Sequence, residues 1–225
     1  VDEAKPGWVE RPWARVAEEV GLGHQAYVVC PKIGDPPDGT TLTADTSDED
    51  DGWDGAGDEA GGGGIPTGPQ PRPLAGVYAV HDRLRSEPAL AGLRTAVLHG
   101  RLDADAKDRV MTAFARGEID VLIATTVIEV GVDVPNATVM VVMDADRFGV
   151  SQLHQLRGRV GRGGAPGTCI LMTSAAPDSP AGERLRAVAG TSDGFALARL
   201  DLKQRREGGL LRAAQHGPRP PLQVP

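Results

Sequence analysis

The chain has 225 residues, of which 40% are apolar and only 4% aromatic, and its formal net charge is −7. That length suits one medium domain with appendages, and the longest unbroken apolar stretch, Val139 to Met143, is far short of the ~20 residues a membrane helix needs. The opening Val-Asp-Glu-Ala-Lys-Pro has no charged-then-apolar export pattern, and two cysteines, Cys30 and Cys169, exclude a disulfide framework or a four-cysteine zinc site, so a cytoplasmic chain without a membrane partner is expected.

In chain order, Trp13, Val16, Ala17 and Val20 fall at helical spacing, which predicts a helix over Arg11 to Val20 stopped by Gly21 and Gly23. Gln25 to Cys30 reads as a buried strand. Residues 35–73 form an acidic, Gly- and Pro-rich tract with ten acidic residues and one basic residue, Arg72. Such a composition buries too little apolar surface to offset the entropy of ordering, so a disordered insertion is expected. Outside it the chain carries 23 basic and 21 acidic residues, so the remainder is mildly basic. Asp48, Asp50, Asp54 and Glu59 fall near calcium-loop spacing. However, Trp53 stands where the loop's sharp turn demands glycine and no helices flank it, so no metal site is assigned.

Beyond the tract, a helix is expected over Leu74 to Leu84, a strand over Arg94 to His99, and a helix over Asp103 to Arg116 stopped by Gly117. Strands are expected at Asp120 to Thr125, Thr138 to Met143 and Thr168 to Met172. Ser151 is a candidate cap for a helix reaching Val160, and Pro180 to Val188 reads as a helix. Alternating strands and helices with short connections predict an α/β fold: a parallel sheet with helices on both faces.

Three segments carry chemistry. Gln152-Leu-His-Gln155-Leu-Arg157-Gly-Arg159-Val-Gly161-Arg162-Gly163 crowds arginines and glycines at the end of a helix. Guanidinium forks pair bidentately with phosphate oxygens, and glycines let the backbone come close to a ligand. A solvated basic patch would need neither the alternating glycines nor arginine in place of lysine. Ala124-Thr125-Thr126-Val-Ile-Glu129-Val-Gly131-Val-Asp133-Val-Pro135-Asn136 leaves a buried strand end, where α/β sheets place ligands. Its two hydroxyls can bond phosphates and Asp133 can accept from a ribose hydroxyl. A strand runs into a glycine turn at His99-Gly100-Arg101, a pattern that is weak by itself. No Gly-x-x-x-x-Gly-Lys-Ser/Thr occurs in these residues, so no P-loop is among them. Gly21-Leu-Gly23-His-Gln-Ala26 fits a dinucleotide pattern loosely, but lies between helix and strand in the wrong order.

The three segments resemble motifs of superfamily 2 helicases, the first being similar to motif VI and the second to motif V. Together with Gln25-Ala-Tyr-Val-Val-Cys-Pro and Asp193-Gly-Phe195-Ala-Leu-Ala-Arg-Leu-Asp201-Leu, they resemble the RecG family of ATP-dependent DNA helicases over about residues 5–34 and 74–217. The resemblance implies a second RecA-like lobe at 1–34 and 74–175, a helical coupling element at 176–217 including Arg205 and Gln215, and a Pro-rich tail at 218–225. It implies ATP contacts from Gly131, Asp133, Gln155, Arg159 and Arg162, with Arg159 and Arg162 as arginine fingers. It implies nucleic-acid contacts from His99, Gly100, Arg101, Thr125 and Thr126. It further implies ATP with Mg2+ held by an upstream P-loop lobe, an upstream wedge domain, and branched DNA, replication forks and Holliday junctions as partners. Without the P-loop lobe the chain is expected to be inactive by itself.

Two departures stand out. The family's Gly-Pro turn after Asp-Leu is replaced in Arg205-Arg-Glu-Gly208-Gly-Leu210-Leu211, and its arginine before the glutamine is Ala214. A transcription-repair coupling type of translocase lobe and a truncated, non-catalytic DNA-binding module are the alternative readings.

Overall fold

The computed structural model describes residue 1 and residues 6–34, 74–125 and 134–191. The predicted disordered insertion, the coupling element beyond residue 191 and the tail lie outside these residues. Five parallel strands, β1 (Gln25–Val29), β2 (Thr95–Leu98), β3 (Val121–Ala124), β4 (Ala137–Val142) and β5 (Thr168–Leu171), make one sheet in the order β2-β3-β1-β4-β5. Every residue of β1, β3 and β4 is buried, as their apolar runs require, whereas the outer strands β2 and β5 are largely half-buried.

The two-residue period of the strands divides the core. Ala26, Val28, Ile123, Val139 and Val141 face Trp13 and Val16 of α1 (Pro6–Gly21) and Val77, Val80 and Leu84 of α2 (Val77–Arg85). Tyr27, Leu122, Met140 and Val142 face the other way, onto Phe114 of α3 (Ala104–Ala115), Leu153 and Leu156 of α4 (Val150–Arg157) and Leu185 and Val188 of α5 (Pro180–Gly190). The expected parallel sheet with helices on both faces is thus present. Among the described residues no helix is long and apolar enough to cross a membrane.

Several boundaries move for identifiable reasons. Helix α1 begins at Pro6, ahead of the expected Arg11, and carries Pro12 inside it at the loss of one backbone bond. Helix α2 starts only at Val77, because the carboxylate of Asp144 accepts from the Ala75 N–H at 2.7 Å and Val77 N–H donates to the Lys32 carbonyl at 3.1 Å. Asp144 sits at φ 44°, a left-handed conformation that Asp tolerates better than most residues. Gly149, not Ser151, caps α4: the Gln152 side chain reaches back to accept from the Gly149 N–H at 3.0 Å. Asp103 caps α3 by accepting from Ala106 N–H at 2.6 Å, and Gly117, at φ 72°, ends it as expected.

The residues that flank the acidic tract meet. Lys32 pairs with Gly76, and a Cβ built on Gly34 would lie 3.2 Å from the Gly76 Cα. Deleting residues 36–71 therefore asks the chain to close a gap that is already closed. Loop length contributes only ~0.6 kcal/mol per doubling. The deletion is expected to shift the melting temperature by less than about 8 °C, and a larger fall would mean that the tract packs on the lobe.

Candidate nucleotide and nucleic-acid edges of the sheet

Parallel strands give the sheet two distinct edges, and the candidate residues divide between them. At the carboxyl edge, β2 and β3 run in register, Leu98 beside Ala124, and Thr125 N–H donates to the Leu98 carbonyl at 3.2 Å. This brings His99, Gly100 and Arg101 beside Thr125. Gly100 and Arg101 are exposed, and the Lys107 ammonium donates to the Gly100 carbonyl at 2.6 Å, so a second cation stands against the turn beside Arg101. Thr125 is nearly buried at the strand end.

His99 is placed differently from its neighbours. It is fully buried, its Nε2 lies 2.7 Å from the Tyr78 hydroxyl, and the two rings meet edge to face at 5.3 Å. Burial, and then the charges of Arg101 and Lys107, hold its pKa below the ordinary histidine value. The ring thus lies beneath the exposed Gly100–Arg101 turn, against Tyr78. Tyr78 completes this floor, and nothing in its local sequence pattern points to that role.

At the amino edge, α4 ends at Arg157 and the arginine–glycine loop crosses the start of β4. Gly161 N–H donates to the Ala137 carbonyl at 3.1 Å with φ 73°. A Cβ there would sit 2.4 Å from the Gly167 nitrogen, and one on Gly163 would sit 2.6 Å from the Pro135 carbonyl oxygen. The glycines are thus required by backbone contacts that pin the arginine loop to Pro135, two residues after Asp133. Arg162 is exposed and donates through Nε to the Gly158 carbonyl at 2.6 Å, Arg159 is half-buried, and Gln155 is exposed on α4. Arg157, alike in sequence, turns inward: its guanidinium donates to the Val188 carbonyl at 3.0 Å and the Thr191 carbonyl at 2.6 Å, closing the end of α5. Strands of four to six residues, at about 3.3 Å per residue, set the two edges roughly 13–20 Å apart. Thr126, Gly131, Asp133, Arg205 and Gln215 lie outside the described residues.

A polar cluster below the arginine loop holds Pro135-Asn136 in place. Asn136 donates to the Gly23 carbonyl at 2.8 Å, and Gln25 donates to the Phe114 and Ile119 carbonyls at 2.6 and 2.7 Å. Beside it the buried Glu19 accepts from the Thr138 hydroxyl at 2.6 Å, lies 2.6 Å from His24 Nδ1, and pairs with Arg15. The sequence signal was a charged residue between Val16 and Val20 on the apolar side of α1. The Thr138 hydroxyl most of all, helped by His24 and Arg15, holds Glu19 below its ordinary pKa of 4.5 against the opposing effect of burial. A depressed folded pKa means that the contribution is complete above pH 4.5 and is lost as the pH falls through the lowered value. Thr138→Val is expected to cost about 1–3 kcal/mol at pH 7 and to flatten the fall in melting temperature between about pH 5 and pH 3. An unchanged acid slope in that variant would contradict the assignment.

Residues 77–164 match the helicase conserved C-terminal domain. The chain is 55% identical over 213 residues to the ATP-dependent DNA helicase RecG of Mycobacterium tuberculosis, covering 95% of this chain and 25% of that protein. It is 39% identical over 214 residues to the RecG of Bacillus subtilis, covering 95% and 26%. Among solved structures, a RecG bound to a three-way DNA junction matches 88% of this chain and 21% of its own, with a TM-score of 0.60 and 35% identity. The chain spans about a quarter of the length of these relatives. The RecA-like sheet and the sequence identity along nearly all of its length agree: this chain belongs to the RecG helicases and is a C-terminal helicase domain of that type.

Proposed function

We propose that this chain is the lobe of an ATP-dependent DNA helicase that reads DNA on one edge of its sheet and ATP on the other, within a protein that remodels branched DNA, stalled replication forks and Holliday junctions. The observation that carries this reading is the division of the candidate residues between the two edges. The exposed Gly100–Arg101 turn and Thr125 lie at the carboxyl edge; Gln155, Arg159 and Arg162 lie at the amino edge. The junction-bound RecG relative supports branched DNA as the partner.

In this reading ATP lies between the present lobe and a P-loop lobe, which holds its phosphates and Mg2+. The donor set here fits the part left over. Arg162 sits on a loop locked by Gly161 and Gly163, so its guanidinium meets the γ-phosphoryl group with little freedom to lose. Charge that grows on the phosphoryl oxygens during transfer is stabilised by Arg162 and Arg159, while Gln155 and Asp133 orient the nucleotide. Phosphate contacts dominate the DNA side, so binding there weakens with salt. The segment 126–133 links the two edges directly in sequence, which offers a path for nucleotide state to reach the DNA-contacting turn. A cytoplasmic location accords with this role.

The purified chain alone is expected to release no phosphate from ATP, because it carries no P-loop, whereas joining it to a RecG P-loop lobe is expected to restore DNA-stimulated hydrolysis. DNA-stimulated release from the chain alone, or none from the joined protein, would overturn the proposal.

A further inference from the structure

Tyr78 stands where α2 meets the carboxyl edge of the sheet. It is the second residue of that helix, whose first turn is fixed at the edge: Gly76 pairs with Lys32 just beyond β1, and the Tyr78 N–H donates to the Ile33 carbonyl at 3.4 Å. Tyr78 is half-buried, and its hydroxyl lies 2.7 Å from Nε2 of the fully buried His99. We infer that the Tyr78 hydroxyl donates a hydrogen bond to a phosphate of the DNA backbone, beside Arg101. The inference rests on the reading of the carboxyl edge as the DNA edge, and it adds to that edge a residue outside the three motif-like segments.

A phosphodiester offers only acceptors, so Tyr78 can serve it only with a proton that is not already given to His99. The surroundings of His99 decide where that proton goes. Its Nδ1 is buried and has no hydrogen-bond partner among the described residues. A proton on Nδ1 would be an orphaned buried donor, whereas a bare ring nitrogen leaves only an unfilled acceptor, the lesser cost. Burial, with the charges of Arg101 and Lys107, keeps the ring neutral near pH 7, so it bears one proton. That proton therefore sits on Nε2 and is donated to the Tyr78 oxygen. The hydroxyl proton of Tyr78 is then free to point away from the buried ring.

What surrounds the hydroxyl suits an anion. The charges of Arg101 and Lys107 both act on the His99 ring against which Tyr78 is held. The turn that carries Arg101 is closed by the Leu102 N–H donating to the His99 carbonyl at 3.2 Å, and Lys107 bonds the Gly100 carbonyl from the other side. The edge-to-face contact of the Tyr78 and His99 rings, at 5.3 Å, fixes the phenol against this turn. The cations supply attraction without direction, and the held hydroxyl supplies a directed donor, which is the combination that places a backbone phosphate.

Two measurements on the full chain test this. In the isotope-labelled wild-type chain near neutral pH, NMR correlations within the His99 ring are expected to show the Nε2–H tautomer, and the Nδ1–H tautomer would overturn the inference. Binding of forked DNA is then followed across a salt series for Tyr78→Phe, which keeps the ring, and for Arg101→Ala. Tyr78→Phe is expected to weaken binding about five- to tenfold at every salt concentration with an unchanged slope, since a neutral donor displaces no counterion. Arg101→Ala is expected to weaken binding and to lower the slope by about one phosphate contact. Wild-type affinity in Tyr78→Phe beside a weakened Arg101→Ala would overturn this inference alone. A lowered slope in Tyr78→Phe would mean that Tyr78 acts only by holding Arg101 in place, which overturns the direct contact. Wild-type affinity in both variants would remove the DNA reading of this edge and the inference with it. Should Tyr78→Phe fail to melt cooperatively, the His99 tautomer alone decides.

Discussion

Arg162→Ala, in this lobe joined to a RecG P-loop lobe, is expected to lower the kcat of DNA-stimulated ATP hydrolysis by ~10³–10⁵, the range of arginine fingers in related phosphoryl transfer. Removing a group that acts on charge formed only in the transition state lowers kcat far more than it raises KM. The loop argues for this role: Arg162 is exposed and stands between two glycines that backbone contacts hold in place. Arg162→Lys is expected to recover little, since a point ammonium cannot reproduce the planar fork. Steady-state kinetics at saturating forked DNA check it. Retention of more than about a tenth of kcat, a loss under ~1.4 kcal/mol, would show that Arg162 is not the finger.

The second large effect is expected from Gly161→Ala, which leaves every arginine in place. Its added methyl would meet the Gly167 nitrogen at 2.4 Å and Cα at 2.6 Å, and φ 73° is strained for alanine. Backbone on the facing side cannot step aside as a side chain would, so the arginine loop must move away from Ala137 and Pro135. The left-handed conformation alone costs roughly 1–2 kcal/mol. The variant is expected to lose about 2–4 kcal/mol of stability and at least tenfold in kcat. Gly164→Ala, where the methyl meets nothing within 4 Å, is the matched control and is expected to be silent. Equal melting temperatures and kcat for the two variants would contradict the claim that the Gly161–Gly167 contact positions Arg162.

Much of this arrangement was legible in the sequence because it depends on short-range pattern. The apolar runs at Gln25–Val29, Val121–Ala124 and Ala137–Val142 mark central strands, and the spacing of Trp13 and Val16 marks the buried side of α1. What failed to show depends on contacts distant in sequence. The apolar spacing starts this helix at Arg11, but it reaches back through Pro12 to Pro6. The inward turn of Arg157 depends on carbonyls 31 and 34 residues away, so sequence alone makes it look like Arg159 and Arg162. His99 reads as a groove residue, yet its burial depends on Tyr78, 21 positions earlier on α2. Glycines 161 and 163 read as places where the backbone approaches a ligand, whereas the close approaches seen are to the chain's own backbone at Gly167 and Pro135.

The account's central claim is that the two edges of the sheet perform separable tasks, and one paired measurement tests it. In the joined two-lobe protein, the affinity for forked DNA is measured against salt concentration for Arg101→Ala and Arg162→Ala, with ATP hydrolysis followed in parallel. The account predicts that Arg101→Ala weakens DNA binding and reduces the salt slope by about one phosphate contact, while Arg162→Ala keeps its DNA affinity and loses hydrolysis. Equal losses of DNA affinity in both variants, or a loss of hydrolysis at saturating DNA as deep for Arg101→Ala as for Arg162→Ala, would contradict it.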